Sequence, residues 1–371
     1  MREELPHVAH VIDELPPDGA ERLIVDVLQH RSGRFRYSVV CIVRGGQLAA
    51  DIQAMGIPVS ILNRPPGLNF GTVWILARWF RNNRVSVVHT HLHAADTYGR
   101  LAAWLSRVPA RFSTRHSAKA WGGIGRPLLA WLLSCISTKV IACGTEVGEF
   151  MRRHEHIAST RVVVVPNGIN LHRFDRADRL AYRRELGIAD DVVLVGAIGR
   201  LLPVKGHASL LQALTPLVQE GHNCHLAIVG SGELAAQLKA DAVRLGIESR
   251  VHFAGQRSDI PDILAALDVF AMPSLWEGLP MALLEAMASS RAVVATMVGS
   301  VAEAVTDGWN GRLVPPADRA ALTSALRELL SDQSLRARFG ANARKAVEQR
   351  FNAALTAQAY EQLYDHALSR T

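Results

Sequence analysis

The chain has 371 residues, 49% of them apolar, four cysteines and a formal net charge of +7. That length is long for one core and favours two domains. The greasiest run, Leu128 to Ile136, falls well short of the ~18 residues of a membrane span, and the opening Met-Arg-Glu-Glu lacks the layout of a secretion signal. Cys41, Cys135, Cys143 and Cys224 show no C-x-x-C spacing, which argues against a zinc knuckle or disulfide framework and for a cytosolic protein.

Apolar strand patterns alternate with helical ones along the chain. Strands are expected over Val8–Ile12, Tyr37–Val43, Pro58–Leu62, Val85–His89, Arg111–Thr114, Lys139–Ala142 and Val162–Val165, with helices such as Ala20–His30, Leu48–Met55 and Ala95–Ser106 between them. Turn chemistry in Pro166-Asn-Gly-Ile-Asn170 closes this series, and a polar, arginine-rich connector from Leu171 to Asp191 follows. A second series then runs Val192–Ile198, His225–Val229, Val251–Ala254, Val269–Met272, Ala292–Ala295 and Arg312–Val314. Strand–helix–strand alternation implies parallel sheets covered on both faces, so the reading is α/β with two doubly wound domains, 1–167 and 168–351. A final helix, about 352–371, has no strand after it and is expected to return to the first domain. Residues 1–170 hold 20 Lys and Arg against 12 Asp and Glu, whereas 171–371 hold 21 against 22. The positive excess of the first half suits an anionic partner: nucleic acid, membrane surface or phosphorylated acceptor.

Ligands of such sheets sit at the carboxyl ends of strands. There the second half carries Gly199-Arg200, with Lys205 five residues on, a bidentate cation and a point charge suited to a diphosphate. Glu277 lies in a Gly/Pro turn and Glu285 on the helix that Pro280 opens in its first turn. Amides from Gly278 and Leu279 onward are expected to favour an anion. Two carboxylates beside an anion site suit a ligand bearing both phosphate and hydroxyls, such as a nucleotide-sugar. Taken alone, a glutamate near a helix start is often only a favourable charge for the dipole. Gly230-Ser-Gly-Glu233 and Asp18-Gly19 are weaker phosphate-turn patterns, each after a strand and before a helix. No Asp-x-Asp occurs, which favours phosphate binding by amides, Arg and Lys over a divalent metal. His89, His91 and His93 alternate at a strand end and would share one face. Three imidazoles can hold zinc, but no carboxylate or cysteine at ligand spacing supports that, and a pocket-lining role is expected instead. His116 also follows a strand end.

Together, Gly19-Ala-Glu-Arg22, His89-Thr-His-Leu-His93, His116, Val165-Pro-Asn-Gly-Ile-Asn170, Gly199-Arg200 with Lys205, Gly230-Ser-Gly-Glu233 and Glu277 through Glu285 resemble the retaining glycosyltransferases of family four. The resemblance implies the GT-B fold, two Rossmann-like domains facing each other across a cleft. It implies a nucleotide-diphosphate sugar as donor substrate, with no separate cofactor and no metal. Arg200 and Lys205 would hold the diphosphate, Glu285 the ribose hydroxyls, and Glu277 the transferred sugar with the Gly278 and Leu279 amides nearby. His116 would reach the sugar from the first domain, and the base would stack near Gln256 and Arg257. His116, Glu277, Arg200 and Lys205 are thus the expected catalytic set, with Gly19 and Gly230 as further donor contacts. One departure concerns Asp18-Gly19: family members often carry two adjacent glycines there, and an inward carboxylate would repel a diphosphate.

The acceptor is expected on the first domain, as a saccharide or a lipid-linked sugar for cell-surface polysaccharide or glycolipid synthesis. Asn69 to Arg81 interleaves aromatic and basic residues, and Trp121 to Trp131 gives a second aromatic patch. Both suit peripheral contact with an anionic membrane at its cytoplasmic face, and also suit plain packing on the sheet. The rival readings are a GT-B nucleotide-sugar epimerase or phosphorylase, a transferase that binds donor without turnover, and a basic nucleic-acid-binding protein. No zinc-finger spacing or aromatic RNA-binding signature supports the last, and no nucleic-acid partner is expected.

Overall fold

The computed structural model describes residues 4–64, 70–117 and 126–370. It divides into two units, one of residues 1–169 with 353–371 and one of residues 170–352.

In the first unit, β1 (His7–Ile12), β2 (Arg36–Cys41), β3 (Val59–Ile61), β4 (Val85–His91), β5 (Ala110–Arg115), β6 (Lys139–Ala142) and β7 (Val162–Val164) form one parallel sheet ordered β3-β2-β1-β4-β5-β6-β7. The order reverses between β1 and β4, and the crevice of a doubly wound sheet opens at such a switch point. Every residue of β1 is buried, as expected of a central parallel strand covered on both faces. The apolar core on one side joins Val11, Val40 and Val88 of the sheet to Leu76, Phe80 and Ala102 of helices Phe70–Asn82 and His93–Leu105.

The last helix, Ala353–Leu368, belongs to this unit. Ala353 N–H donates to the Ile169 carbonyl at 2.9 Å and the Thr356 hydroxyl to that of Pro166 at 2.9 Å. Its buried Glu361 accepts from the Tyr37 hydroxyl at 2.8 Å and the Ser32 amide at 3.0 Å, with Arg34 at 3.2 Å. A buried carboxylate with three donors is satisfied, which makes this contact specific as well as apolar.

In the second unit, β8 (Val193–Ile198), β9 (Cys224–Val229), β10 (Val251–Gly255), β11 (Val269–Met272), β12 (Ala292–Thr296) and β13 (Arg312–Val314) form a parallel sheet ordered β10-β9-β8-β11-β12-β13, with its switch point between β8 and β11. Leu210, Leu214, Leu326 and Phe339 pack helices onto its strands.

Three local expectations need correction. The connector 171–191 is not a plain linker: it forms a 3₁₀ turn, Leu171–Phe174, and a helix, Arg179–Leu186. Asp178 caps that helix by accepting from Leu180 N–H, and Gly187 ends it with φ 65°. Arg183, only 1% exposed, binds Asp268, which also takes Arg179 at 3.0 Å. Arginines of the connector thus anchor the helix to the second unit. His93 does not continue β4: Leu92 turns the chain at φ 64°, and His93 opens the next helix. Pro280 stands at the N-cap of helix Met281–Ala288 with extended backbone, one position ahead of its first turn.

Candidate active site

Second-unit loops after β8 and β11 meet at the switch point. The 3₁₀ turn Pro203–Lys205 ends at Gly206, whose φ of 68° and close approach to the Pro273 carbonyl leave no room for a side chain; a Cβ would stand 2.0 Å from that oxygen. Leu275 N–H donates to the Val204 carbonyl at 2.7 Å and draws the loops together. The Lys205 ammonium then lies 2.6 Å from Glu277 Oε1, and the Ser274 hydroxyl donates to the same oxygen at 2.7 Å. Glu277 and Ser274 are buried, and Ser274 is held in turn by the Thr296 hydroxyl on its carbonyl. The pair sits in a recess lined by Ala197, Lys205, His207, Ser274, Glu277 and Pro280.

Glu285, one turn into its helix, is paired with Arg173 of the 3₁₀ turn at 3.1 Å and is largely buried. Arg200 directly follows Gly199 beyond β8 and is exposed. Among the described residues its guanidinium has no ion pair, whereas Lys205 has one. Gly278 accepts from Ser300 N–H at 2.9 Å through its carbonyl, and Leu279 is buried in the same turn.

The remaining second-unit residues are occupied in other ways. Gly230 lies so close to the Gly199 carbonyl that a Cβ would meet it at 2.0 Å, and its N–H donates to Gly255 at 2.7 Å. Its glycine is thus accounted for by backbone packing. Gln256 is exposed just after β10. Arg257 does not stand free for a ligand: Glu185 takes it at 2.7 and 2.9 Å, Asp259 at 2.9 and 2.7 Å, and it lies over the Tyr182 ring. Those two carboxylates hold its pKa above the ordinary arginine value.

The first unit has a different chemistry at its switch point. His10 of β1 and His89 and His91 of β4 are buried side by side, and His91 stacks on His116 with centroids 5.8 Å apart. His10 Nδ1 and His91 Nε2 share a hydrogen bond of 3.0 Å, and His89 contacts the Tyr364 hydroxyl at 2.5 Å and the Thr114 hydroxyl at 2.7 Å. Burial pushes His10 and His116 down to about 4, helped for His116 by the charge of Arg115; burial and neighbouring imidazoles push His89 and His91 well below 6.5. All four are therefore neutral near pH 7. Among the described residues, His10, His89 and His91 are the group whose spacing approaches that of metal ligands. The chemistry around them fits poorly. Both His89 nitrogens contact hydroxyls, the outer nitrogens of His10 and His91 have no partner to orient a ligating ring, and no carboxylate joins the set. Gly19 opens helix Gly19–Gln29 and is exposed, as is Asp18 before it.

Residues 17–173 match the family model Glycosyltransferase Family 4, and residues 178–346 match Glycosyl transferases group 1. The D-inositol 3-phosphate glycosyltransferase of Xylanimonas cellulosilytica is 33% identical over 306 residues, 76% of this chain and 72% of that protein. This chain belongs to glycosyltransferase family 4. The UDP-Gal:alpha-D-GlcNAc-diphosphoundecaprenol alpha-1,3-galactosyltransferase of Escherichia coli is 26% identical over 346 residues, 89% of each chain. Several other curated relatives are matched over 56% to 61% of their length. Anabaena HepE, solved with UDP and glucose, shares the fold with a TM-score of 0.86 over 99% of this chain and 100% of its own, at 23% identity. The fold is therefore GT-B.

Within this family-4 glycosyltransferase, Lys205, Glu277, Gly278 and Leu279 come together, and Arg200 and Glu285 belong to the same unit. His116 and Gly19 lie in the first unit. Sequence reasoning missed Ser274, Arg173 and His207. Ser274 opens the stretch that ends in Glu285, so its spacing to Glu277 was available. Arg173 was hidden in a segment read as linker.

Proposed function

We propose that this protein transfers a glycosyl group, with retention, from a UDP-sugar to a saccharide or lipid-linked acceptor in cell-surface polysaccharide or glycolipid synthesis, without a metal. The observation that carries the reading is the Lys205–Glu277–Ser274 cluster at the β8/β11 switch point, with the exposed Arg200 beside the strand end. Uridine is favoured because the E. coli relative is named for UDP-Gal and HepE was solved with UDP. Arg200 and Lys205 would neutralise the diphosphate as charge develops on it, which is the main lever available to such a site. Breaking the anomeric carbon–oxygen bond leaves its electron pair on the diphosphate. The acceptor oxygen bonds to the same carbon, and its proton passes to the departing phosphate. Glu277 orients the sugar; Lys205, released from Glu277 when phosphate arrives, changes partner without losing its charge compensation.

The acceptor side rests on an exposed apolar surface of the first unit. Helix Phe70–Asn82 buries Leu76, Ala77 and Phe80 but leaves Phe70 and Trp74 in solvent. Helix Arg126–Cys135 exposes Leu128, Leu129, Trp131 and Leu132. Arginines 78, 81 and 126 on the same helices suit anionic headgroups. Asn69 and the Trp121–Gly125 part of the aromatic patch lie outside the described residues. No helix among the described residues is long and apolar enough to cross a membrane.

A thermal-shift panel of UDP-, GDP- and ADP-sugars tests the donor. Stabilisation by a UDP-sugar, lost in both Arg200→Ala and Lys205→Ala, is expected; no response to any of them refutes the reading. Product analysis with the UDP-sugar alone separates transfer from epimerisation.

A further inference from the structure

Of the four polar side chains lining the Lys205–Glu277 recess, three are joined by hydrogen bonds to one another and the fourth is not. Lys205 and Ser274 both bond to Glu277. His207, the first residue of helix His207–Gln219, lines the same recess, is 3% exposed, and has neither ring nitrogen in a well-formed hydrogen bond. The Arg200 backbone faces the ring and favours its protonated form, while the Lys205 charge opposes it. Burial is the larger influence and holds the ring neutral, with a pKa of about 4. A neutral imidazole offers one donor and one acceptor. The Arg200 backbone can face one ring nitrogen at most, and leaving the other unspent out of water is costly; native structures rarely do so without a ligand or ordered water to complete it. The other linings of the recess, Ala197, Ala271, Met272 and Pro280 among them, are apolar and cannot complete it.

We propose that His207 is a specificity-determining residue that hydrogen-bonds a hydroxyl of the transferred sugar, beside Glu277. The proposal rests on the donor reading above. A hydroxyl both donates and accepts, so it can satisfy either imidazole tautomer. Glu277 can only accept. A carboxylate and a neutral imidazole in one recess therefore distinguish sugars by the placement of adjacent hydroxyls. The diphosphate is left to Arg200 and Lys205, because a neutral ring adds no charge to hold it.

The experiment measures dissociation constants of UDP and of the best-bound UDP-sugar for the intact protein, by calorimetry, alongside kcat and KM for release of UDP. His207→Ala should weaken the UDP-sugar about fivefold to tenfold and leave UDP within twofold, the size expected for one hydrogen bond. It should also narrow the preference for that sugar over its epimers. His207→Asn or His207→Gln, which keep a donor and an acceptor, should restore part of the difference. Equal weakening of UDP and UDP-sugar overturns the proposal, since His207 would then serve the phosphate region or only the fold. Unchanged binding in His207→Ala also overturns it and leaves the ring completed by water alone. If the unaltered protein binds UDP but no UDP-sugar, the inference fails and nucleotide recognition survives. If it binds neither, the functional reading fails first.

Discussion

The two units share one sheet plan and differ at the switch point. The β1/β4 crevice of the first holds four imidazoles that burial keeps neutral, partnered by hydroxyls and by one another. The β8/β11 crevice of the second holds a partly buried Lys205–Glu277 pair with a nearby exposed arginine. A doubly wound sheet fixes where a crevice lies; the residues at the strand ends fix what it can bind. Neutral donors and acceptors suit hydroxyls, and fixed cations suit phosphate.

The sharpest way to break this contrast is to remove the charged pair. Glu277→Ala should lower the transfer rate by about 100-fold or more, because it removes the carboxylate proposed to orient the sugar and leaves Lys205 without its partner. Initial rates with matched far-ultraviolet circular dichroism check it, and retained activity would remove Glu277 from the mechanism. The next largest effect should separate two arginines of the same unit. Arg200→Ala should weaken donor binding about tenfold, whereas Arg257→Ala should change it less than threefold, since Glu185 and Asp259 already neutralise Arg257. Equal losses in calorimetry would mean that Arg257 exchanges its partners for the ligand.

The neutral crevice should reveal itself in acid. Folded His10 and His116 titrate near 4 and their unfolded counterparts near 6.5, so the unfolded chain binds more protons between those values. Their contribution to stability is complete above pH 6.5 and is lost as pH falls toward 4, each group at about 1.4 kcal/mol per pH unit. Chemical denaturation from pH 7 to 5 should show that slope, and replacing His10 and His116 together by apolar residues should reduce it. A flat profile in the native protein would mean that these rings are not neutral and buried. The smallest effect concerns the surface: Trp74→Glu should reduce cosedimentation with anionic liposomes several-fold at low salt without altering donor binding. Indifference of the unaltered protein to such liposomes would remove the membrane from the acceptor proposal.

Much of the fold was legible because parallel strands buried on both faces are nearly continuous apolar runs. Lys139–Ala142, Val269–Met272 and Arg312–Val314 are bounded by the structure as the pattern bounds them. The others shift by a residue or two at their ends, where hydrogen bonding rather than hydropathy decides. Alternation failed at His93 because period two assumes that the strand continues, and Leu92 at positive φ ends it. Composition failed at 171–191 because buried arginines look like solvated ones until a partner such as Asp268 is found.

The order of apolar runs and glycine turns determined by itself that there are two doubly wound sheets and which loops reach their strand ends, since periodicity and turn chemistry are local. Only tertiary structure decided which charges are spent: Arg257 is held by two carboxylates, Glu285 by Arg173, Lys205 by Glu277, while the His207 ring makes no well-formed hydrogen bond in the recess. The Arg173–Glu285 pair alone joins residues 112 positions apart, and no local pattern encodes such a distance.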